Sequence, residues 1–329
     1  MTKIDVREVQ SDEYRAWDRL AVDSQQGTVF HMSDWIRTCA SLSRTSALPV
    51  GYYEDDILTG GCLLYVRAKF GLLHFADSTA RLTPYGGYLL PEPVSTRVRE
   101  REGLNRSIIL GIADEISRMG FIDVNIVNTP AFQDILPLTR NDWASRVYYT
   151  YMLPLVADVD SRLSKKVRWA VRKGEKNGIR IGKCYDPEVY WDLSIHTYAK
   201  QNRKPPYTKA FLTGMLEMIA ENTFGEMWIA RMPDGEAIAA EVITWSGRTA
   251  DRWSAVSNSA RGDTGATSLL LYGIFQDLWE RGFVSINLMA ANTPNLSTFV
   301  SSFNPELVPY YGIEKSRFGF GLVKPSLMP

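Results

Sequence analysis

Between residues 179 and 303 the apolar positions follow two rhythms, and the switches between them mark the elements. Alternation with a period of two, bounded by turn residues, predicts strands at Ile179–Cys184, Met227–Arg231, Ala237–Trp245, Ala250–Ser257 and Val284–Asn292. Spacing near 3.6 predicts helices at Pro187–Asn202, Thr208–Glu221 and Thr267–Gly282, a short one near Leu296–Phe303, then an extended run from Val308. Pro-Asp-Gly and Ser-Gly-Arg turns divide the central strands into a meander that follows two helices. The first half gives a similar series at Ile4–Val9, Ser11–Ser24, Met32–Ser43, Pro49–Glu54, Ile57–Val66, Glu102–Met119 and Phe121–Val127.

That similarity is a repeat. Ser107–Gly120 followed by Phe121-IDVNIVNTP reads against Ser268–Gly282 followed by Phe283-VSINLMAANTP: an apolar helix, a Gly-Phe stop, a β-rich run, then Asn-Thr-Pro. Gly120 and Gly282 lie 162 residues apart, and so do Tyr148-Tyr149 and Tyr310-Tyr311. A duplicated domain follows, with segments 1–158 and 159–329.

Composition adds little: 45% hydrophobic and 22% charged, with zero net charge, is ordinary for a globular chain and gives no general nucleic-acid signal. The start lacks an apolar leader and no apolar run approaches a membrane span, so a cytoplasmic protein is expected. Cys39, Cys62 and Cys184 lack Cys-x-x-Cys spacing, and His31, His74 and His196 are scattered, so neither disulfides nor a metal are expected.

Charge becomes informative when it is local. Ser161–Lys183 holds nine Lys or Arg and one acid, Glu175. At ~100° per residue, Leu163, Val167, Ala170, Val171 and Gly174 form one apolar seam on a basic helix, 161–177, while Trp169 falls among Lys165, Arg172 and Lys176. Such an indole either stacks on a base or sugar whose phosphates its neighbours bind, or packs against the first domain. Glu241 is the single carboxylate on an otherwise apolar strand face. It is either a buried base with a raised pKa or the partner of a buried arginine or backbone N–H. Asp251 on the next strand is the second candidate base.

The succession of strand, two helices, meander, helix, strand, helix and final strands resembles the GNAT acyltransferase fold. Its duplication resembles the Fem family of peptidoglycan aminoacyltransferases. The resemblance covers nearly the whole chain and rests locally on the basic helix with Lys176-Asn177-Gly178-Ile179, Arg203-Lys204-Pro205-Pro206-Tyr207, and Trp253-Ser254-Ala255 running into Ser257-Asn258. It implies an α/β (α+β) fold of two tandem GNAT-like domains with mixed central sheets flanked by helices, the first on the acceptor side and the second on the acyl-donor side. The implied activity is transfer of an acyl or aminoacyl group, from acyl-CoA or aminoacyl-tRNA as co-substrate, to an amine of a cell-envelope precursor or nucleotide-linked metabolite, without a tightly bound cofactor.

The implied donor residues are Trp253, Ser254, Asn258, Arg261, Gly262, Gly265, Thr267 and Ser268, the last two as N-cap candidates. An ordinary capped loop is the other reading of Arg261–Ser268. The implied acceptor residues are Tyr85, Gly86, Arg168, Trp169, Arg172, Arg203, Tyr207, Asn292, Phe303 and Tyr310, in a cleft between the halves, with tRNA or a lipid-linked acceptor as possible partners. Thr83-Pro84-Tyr85-Gly86-Gly87 reads equally as a tight turn.

Two departures stand out. Phe299 occupies the place of the GNAT tyrosine seven residues after Asn292, and Phe299-Val300-Ser301-Ser302-Phe303 lacks the lysine of the Fem Phe-Lys-x-x-Phe. The second reading is therefore a catalytically silent relative that binds nucleic acid or a nucleotide-linked ligand through the basic helix.

Overall fold

The computed structural model describes residues 2–69, 73–92 and 95–317. In chain order the elements are β1 (Ile4–Glu8), α1 (Tyr14–Asp23), α2 (Ser33–Ser43), β2 (Ser46–Glu54), β3 (Ile57–Lys69), β4 (Leu73–Asp77), β5 (Gly87–Leu89), α3 (Val98–Arg118), β6 (Asp123–Val127), α4 (Leu136–Thr139) and β7 (Ala144–Pro154). There follow α5 (Val159–Arg162), α6 (Lys165–Lys176), β8 (Arg180–Lys183), α7 (Pro187–Ala199), α8 (Lys209–Glu221), β9 (Gly225–Arg231), β10 (Ala237–Ser246), β11 (Thr249–Ser257), α9 (Ala266–Glu280), β12 (Ser285–Asn287), α10 (Pro294–Ser301) and β13 (Glu306–Ser316).

The chain forms two compact units. Among the described residues, the first runs to Tyr148 and takes in 309–317, and the second is Tyr149–Val308. In the first, β1, β2, β3 and β4 pair in antiparallel succession, β4 runs parallel to β6, and β13 closes the sheet antiparallel to β6 through Gly312–Ser316. In the second, β8, β9, β10 and β11 pair antiparallel, β11 runs parallel to β12, and β7 closes the sheet through Met152–Pro154. The two patterns are the same. Helix α3 packs apolar Ile108, Ile109, Ile112 and Ile116 into the first core, and α9 packs Leu270, Leu271, Ile274, Phe275 and Leu278 into the second. Each of these helices ends before a left-handed glycine, Gly120 at φ +80 and Gly282 at φ +84, so one local stop is used twice.

Strands β4, β5 and β7 are absent from the sequence-based prediction. The basic helix is also shorter than 161–177: Leu163 is extended, α5 is a separate turn, and α6 starts where the Ser164 hydroxyl accepts the Val167 N–H at 3.2 Å. The expected seam holds in part, since Ala170 is half-buried and Leu163 lies outside α6. Val167, Val171 and Gly174 are buried, and Gly174 lies against Leu269 and Gly265 of the α9 N-terminus, where a methyl group would meet both near 3.1 Å.

Candidate functional site

The second unit contains a fork. Strands β11 and β12 pair in parallel from Thr249–Ser285 to Asp251–Asn287 and no further. The predicted strand Val284–Asn292 shrinks to three residues because Met289 and Ala290 adopt left-handed φ of 55 and 59. That turns the chain from β11 while Leu288 N donates to Tyr151 O at 2.7 Å. Beyond the fork β11 bulges: its register against β10 passes from Ile243–Arg252 to Val242–Ser254, leaving Trp253 as the extra residue.

Asp251 sits at the fork, 5% exposed and hydrogen-bonded to Asn287, and burial pushes its carboxyl up to about 7. The first unit holds the same rung at the same place: Asn125 donates to Asp77 at 3.3 Å, and Asn125 precedes Asn287 by 162 residues. There the carboxylate is paired with Arg67, and the chain fills its own fork. The Ser78 hydroxyl accepts Val127 N at 2.7 Å, Gly86 N donates to Val127 O at 3.3 Å, and Tyr88 N donates to Asn128 Oδ1 at 3.1 Å. Gly86 is needed because a Cβ would come within 2.2 Å of the Ser78 carbonyl.

Glu241 is buried and forms a two-pronged pair with Arg252, Nε to Oε2 at 2.8 Å and Nη2 to Oε1 at 2.6 Å. Burial raises its pKa while the guanidinium opposes the rise. Of the two sequence readings, the geometry is that of the arginine partner. The opposite face of β11 meets α7: the Tyr190 hydroxyl donates to Ser254 Oγ at 2.7 Å, and Ser194 and Tyr207 share a hydrogen bond of 3.1 Å.

The loop before α9 is held on both sides. Arg261 is exposed and paired with Glu236 and Asp234, Gly262 is left-handed at φ +72, Asp263 binds Lys173 at 3.2 Å, and Asn177 donates to Thr264 O at 3.0 Å. The N-cap is Gly265, not Thr267 or Ser268. Its left-handed φ of +82 brings the loop against α6, where a Cβ would lie 2.2 Å from Ala170 O. Asn258 donates from its backbone to Ile238 O at 2.9 Å and accepts Ala260 N at 3.0 Å. Both basic groups at this loop, Arg261 and Lys173, are paired with carboxylates, and a phosphate bound here would have to displace Glu236 and Asp234 from Arg261.

On α6, Trp169 is 58% exposed with Lys173 over its ring at 4.8 Å, Arg172 is exposed, and Arg168 donates to Leu163 O at 2.8 Å. Arg203 is exposed in the turn before α8. Asn292 clamps the Tyr149 backbone with bonds of 2.9 and 3.0 Å. Phe303 is fully buried against Phe275 and Phe299, with centroids 5.7 and 5.3 Å away, and serves the core. In the first unit Tyr310 is wedged between Tyr85 and Tyr148, with centroids 5.4 and 5.3 Å away. The site residues absent from the sequence reading are Arg252, Tyr190, Asn287 and Thr150. The repeated Asn at a 162-residue offset was the one available signal.

Residues 161–294 match the acetyltransferase (GNAT) domain family. The whole chain is similar to a FemX crystal structure, at TM-score 0.71 and 11% identity, covering 93% of this chain and 96% of that one. It is similar to the C-terminal domain of a putative lysylphosphatidylglycerol synthetase from Agrobacterium fabrum, at TM-score 0.60 and 12% identity, covering 93% of each. A tandem GNAT protein from the clavulanic acid biosynthesis pathway matches at TM-score 0.54 and 12% identity, covering 95% and 98%. No curated protein sequence matches the chain. The fold is thus that of two tandem GNAT-like domains of the Fem-like kind. Among the described residues no helix is long and apolar enough to cross a membrane.

Proposed function

We propose that the protein is an N-acyltransferase whose second unit takes an acyl-CoA and whose acceptor is an amine on a nucleotide-linked or cell-envelope precursor. The observation that carries this reading is the buried Asp251 carboxyl held beside Asn287 at the point where β11 and β12 part and the left-handed Met289 and Ala290 turn the chain away from β11. A thioester acyl group entering the fork meets one buried carboxylate. As the amine nitrogen bonds to the acyl carbon, its proton passes to Asp251. The C–S bond then breaks, and the proton held by Asp251 is available to the departing sulfur, a role Phe299 cannot fill. The Arg261–Gly265 loop ahead of α9 supports the pyrophosphate assignment. Arg261→Glu should weaken acyl-CoA binding in calorimetry. No binding by the unaltered protein would transfer the donor role to aminoacyl-tRNA.

The pKa of Asp251 gives a pH signature. Acceptance of a proton needs the carboxylate, so kcat/KM should rise with pH through about 7 and then level off. Asp251→Asn should lower kcat by about 10²–10⁴-fold, the usual contribution of a positioned base. Stability moves the other way. Because the folded state binds the proton more tightly than the unfolded chain, this contribution is complete below the ordinary carboxylate value of 3.8 and is lost as pH rises to about 7. Asp251→Asn should flatten that loss in unfolding curves. A pH-independent difference between the variant and the unaltered protein would contradict it.

The exposed indole and cations of α6 support a polyphosphate-bearing acceptor. Neutralising Arg172 and Lys176 together should weaken acceptor binding and flatten its salt dependence, because fewer phosphate contacts release fewer counterions. Unchanged affinity and salt slope would leave α6 a solvated face. The Phe299 and Val300 departures favour the second reading, a silent protein binding a nucleotide-linked ligand by this helix. Ligand binding without turnover of any acyl-CoA in a single-turnover assay would establish it.

A further inference from the structure

Asn287 is held in one orientation. Its Oδ1 accepts the Met289 backbone N–H at 3.0 Å and the Thr150 hydroxyl at 2.6 Å. A backbone N–H can only donate, so the atom it meets is the amide oxygen, and Nδ2 is left as the donor to Asp251. Thr150, Asn287 and Asp251 come from β7, β12 and β11, and all are buried. The Met289 N–H is presented at a turn whose two left-handed residues, Met289 and Ala290, are strained for side chains of their kind.

Other groups around Asp251 are engaged elsewhere or uncharged. Thr244 of β10 lies opposite it in register, with Oγ1 unpartnered, and Tyr190 of α7 is bonded to Ser254. The adjacent Arg252 is committed to Glu241, and the hydrogen bond from Asn287 favours the carboxylate of Asp251. The first unit acts as a control. Its Asp77–Asn125 rung is retained, but the position 162 residues after Thr150 is Gly312, which carries no hydroxyl.

We propose that Thr150 and Asn287 are positioning residues for the reaction: Thr150 locks the Asn287 amide, and the amide holds Asp251 in the orientation and ionisation in which it accepts a proton. This rests on the reading of Asp251 as proton acceptor. In the full-length protein the γ-carboxyl of 13C-labelled Asp251, assigned with Asp251→Asn, is titrated by NMR beside the pH profile of kcat/KM. Thr150→Ser should titrate as the unaltered protein does. Thr150→Val should raise the midpoint by about 0.5 unit or more and Asn287→Ala should raise it further, because each weakens a bond to the charged form. The acidic limb of kcat/KM should follow in the same order, with KM changing less. If Asn287→Ala does not fold, the Thr150→Val and Thr150→Ser pair, checked by thermal melting, carries the comparison. An Asp251 midpoint unmoved in Thr150→Val overturns the proposal. Midpoints that move while the limb stays fixed leave the hydrogen-bond network standing and overturn its role in the reaction, together with the assignment of Asp251.

Discussion

Arg252→Ala is expected to lower the stability of the second unit by about 3–5 kcal/mol, the range for breaking a buried ion pair from one side. The guanidinium supplies both hydrogen bonds to the Glu241 carboxylate, and neither side chain has appreciable exposure to water. Without Arg252, Glu241 must take up a proton or remain charged in an apolar setting. Changing both members, Glu241→Met with Arg252→Leu, should restore most of the loss, because an apolar pair of similar volume escapes desolvation. Urea unfolding curves of the two variants measure this. A loss below 1 kcal/mol in the single variant would mean that water reaches the pair. If the double variant regains stability yet loses activity, the pair also shapes the fork.

Phe303→Ala should cost about 3–5 kcal/mol, as truncation of a buried aromatic does. Phe303 has no exposed surface, fills the space between α9 and α10, and meets Phe275 and Phe299 edge to face. Trp169→Ala is its counterpart. An indole 58% exposed on α6 should leave the melting temperature nearly unchanged, while a nucleotide-linked ligand stacked on it should be weakened by roughly 1–3 kcal/mol. A large loss of stability for Trp169→Ala, or none for Phe303→Ala, would reverse the two roles.

Much of the architecture was legible because it is written in local periodicity. The helices α7, α8 and α9 and strands β9, β10 and β11 lie within a few residues of their predicted bounds, since one buried face per element imposes its own spacing. Strand β7 was not legible. Its burial is sparse over Ala144–Tyr149, so no apolar alternation announces it. Strand β12 was overestimated because Leu288-Met289-Ala290 reads as β-rich, whereas the left-handed turn there is set by what surrounds it.

The candidate site divides along the same line. From the sequence alone came the duplication, the isolation of Glu241 on an apolar face and the position of Trp169 in the basic sector, because each depends on spacing along one element or on a repeat offset. Only the tertiary structure joined Glu241 to Arg252, set Asp251 beside Asn287 and Thr150, and buried Phe303. Those pairings depend on strand register, on a one-residue bulge at Trp253 and on residues more than a hundred positions apart. Local pattern fixes which face of an element turns inward. Which group waits on the other side is decided by the packing of elements the pattern does not connect.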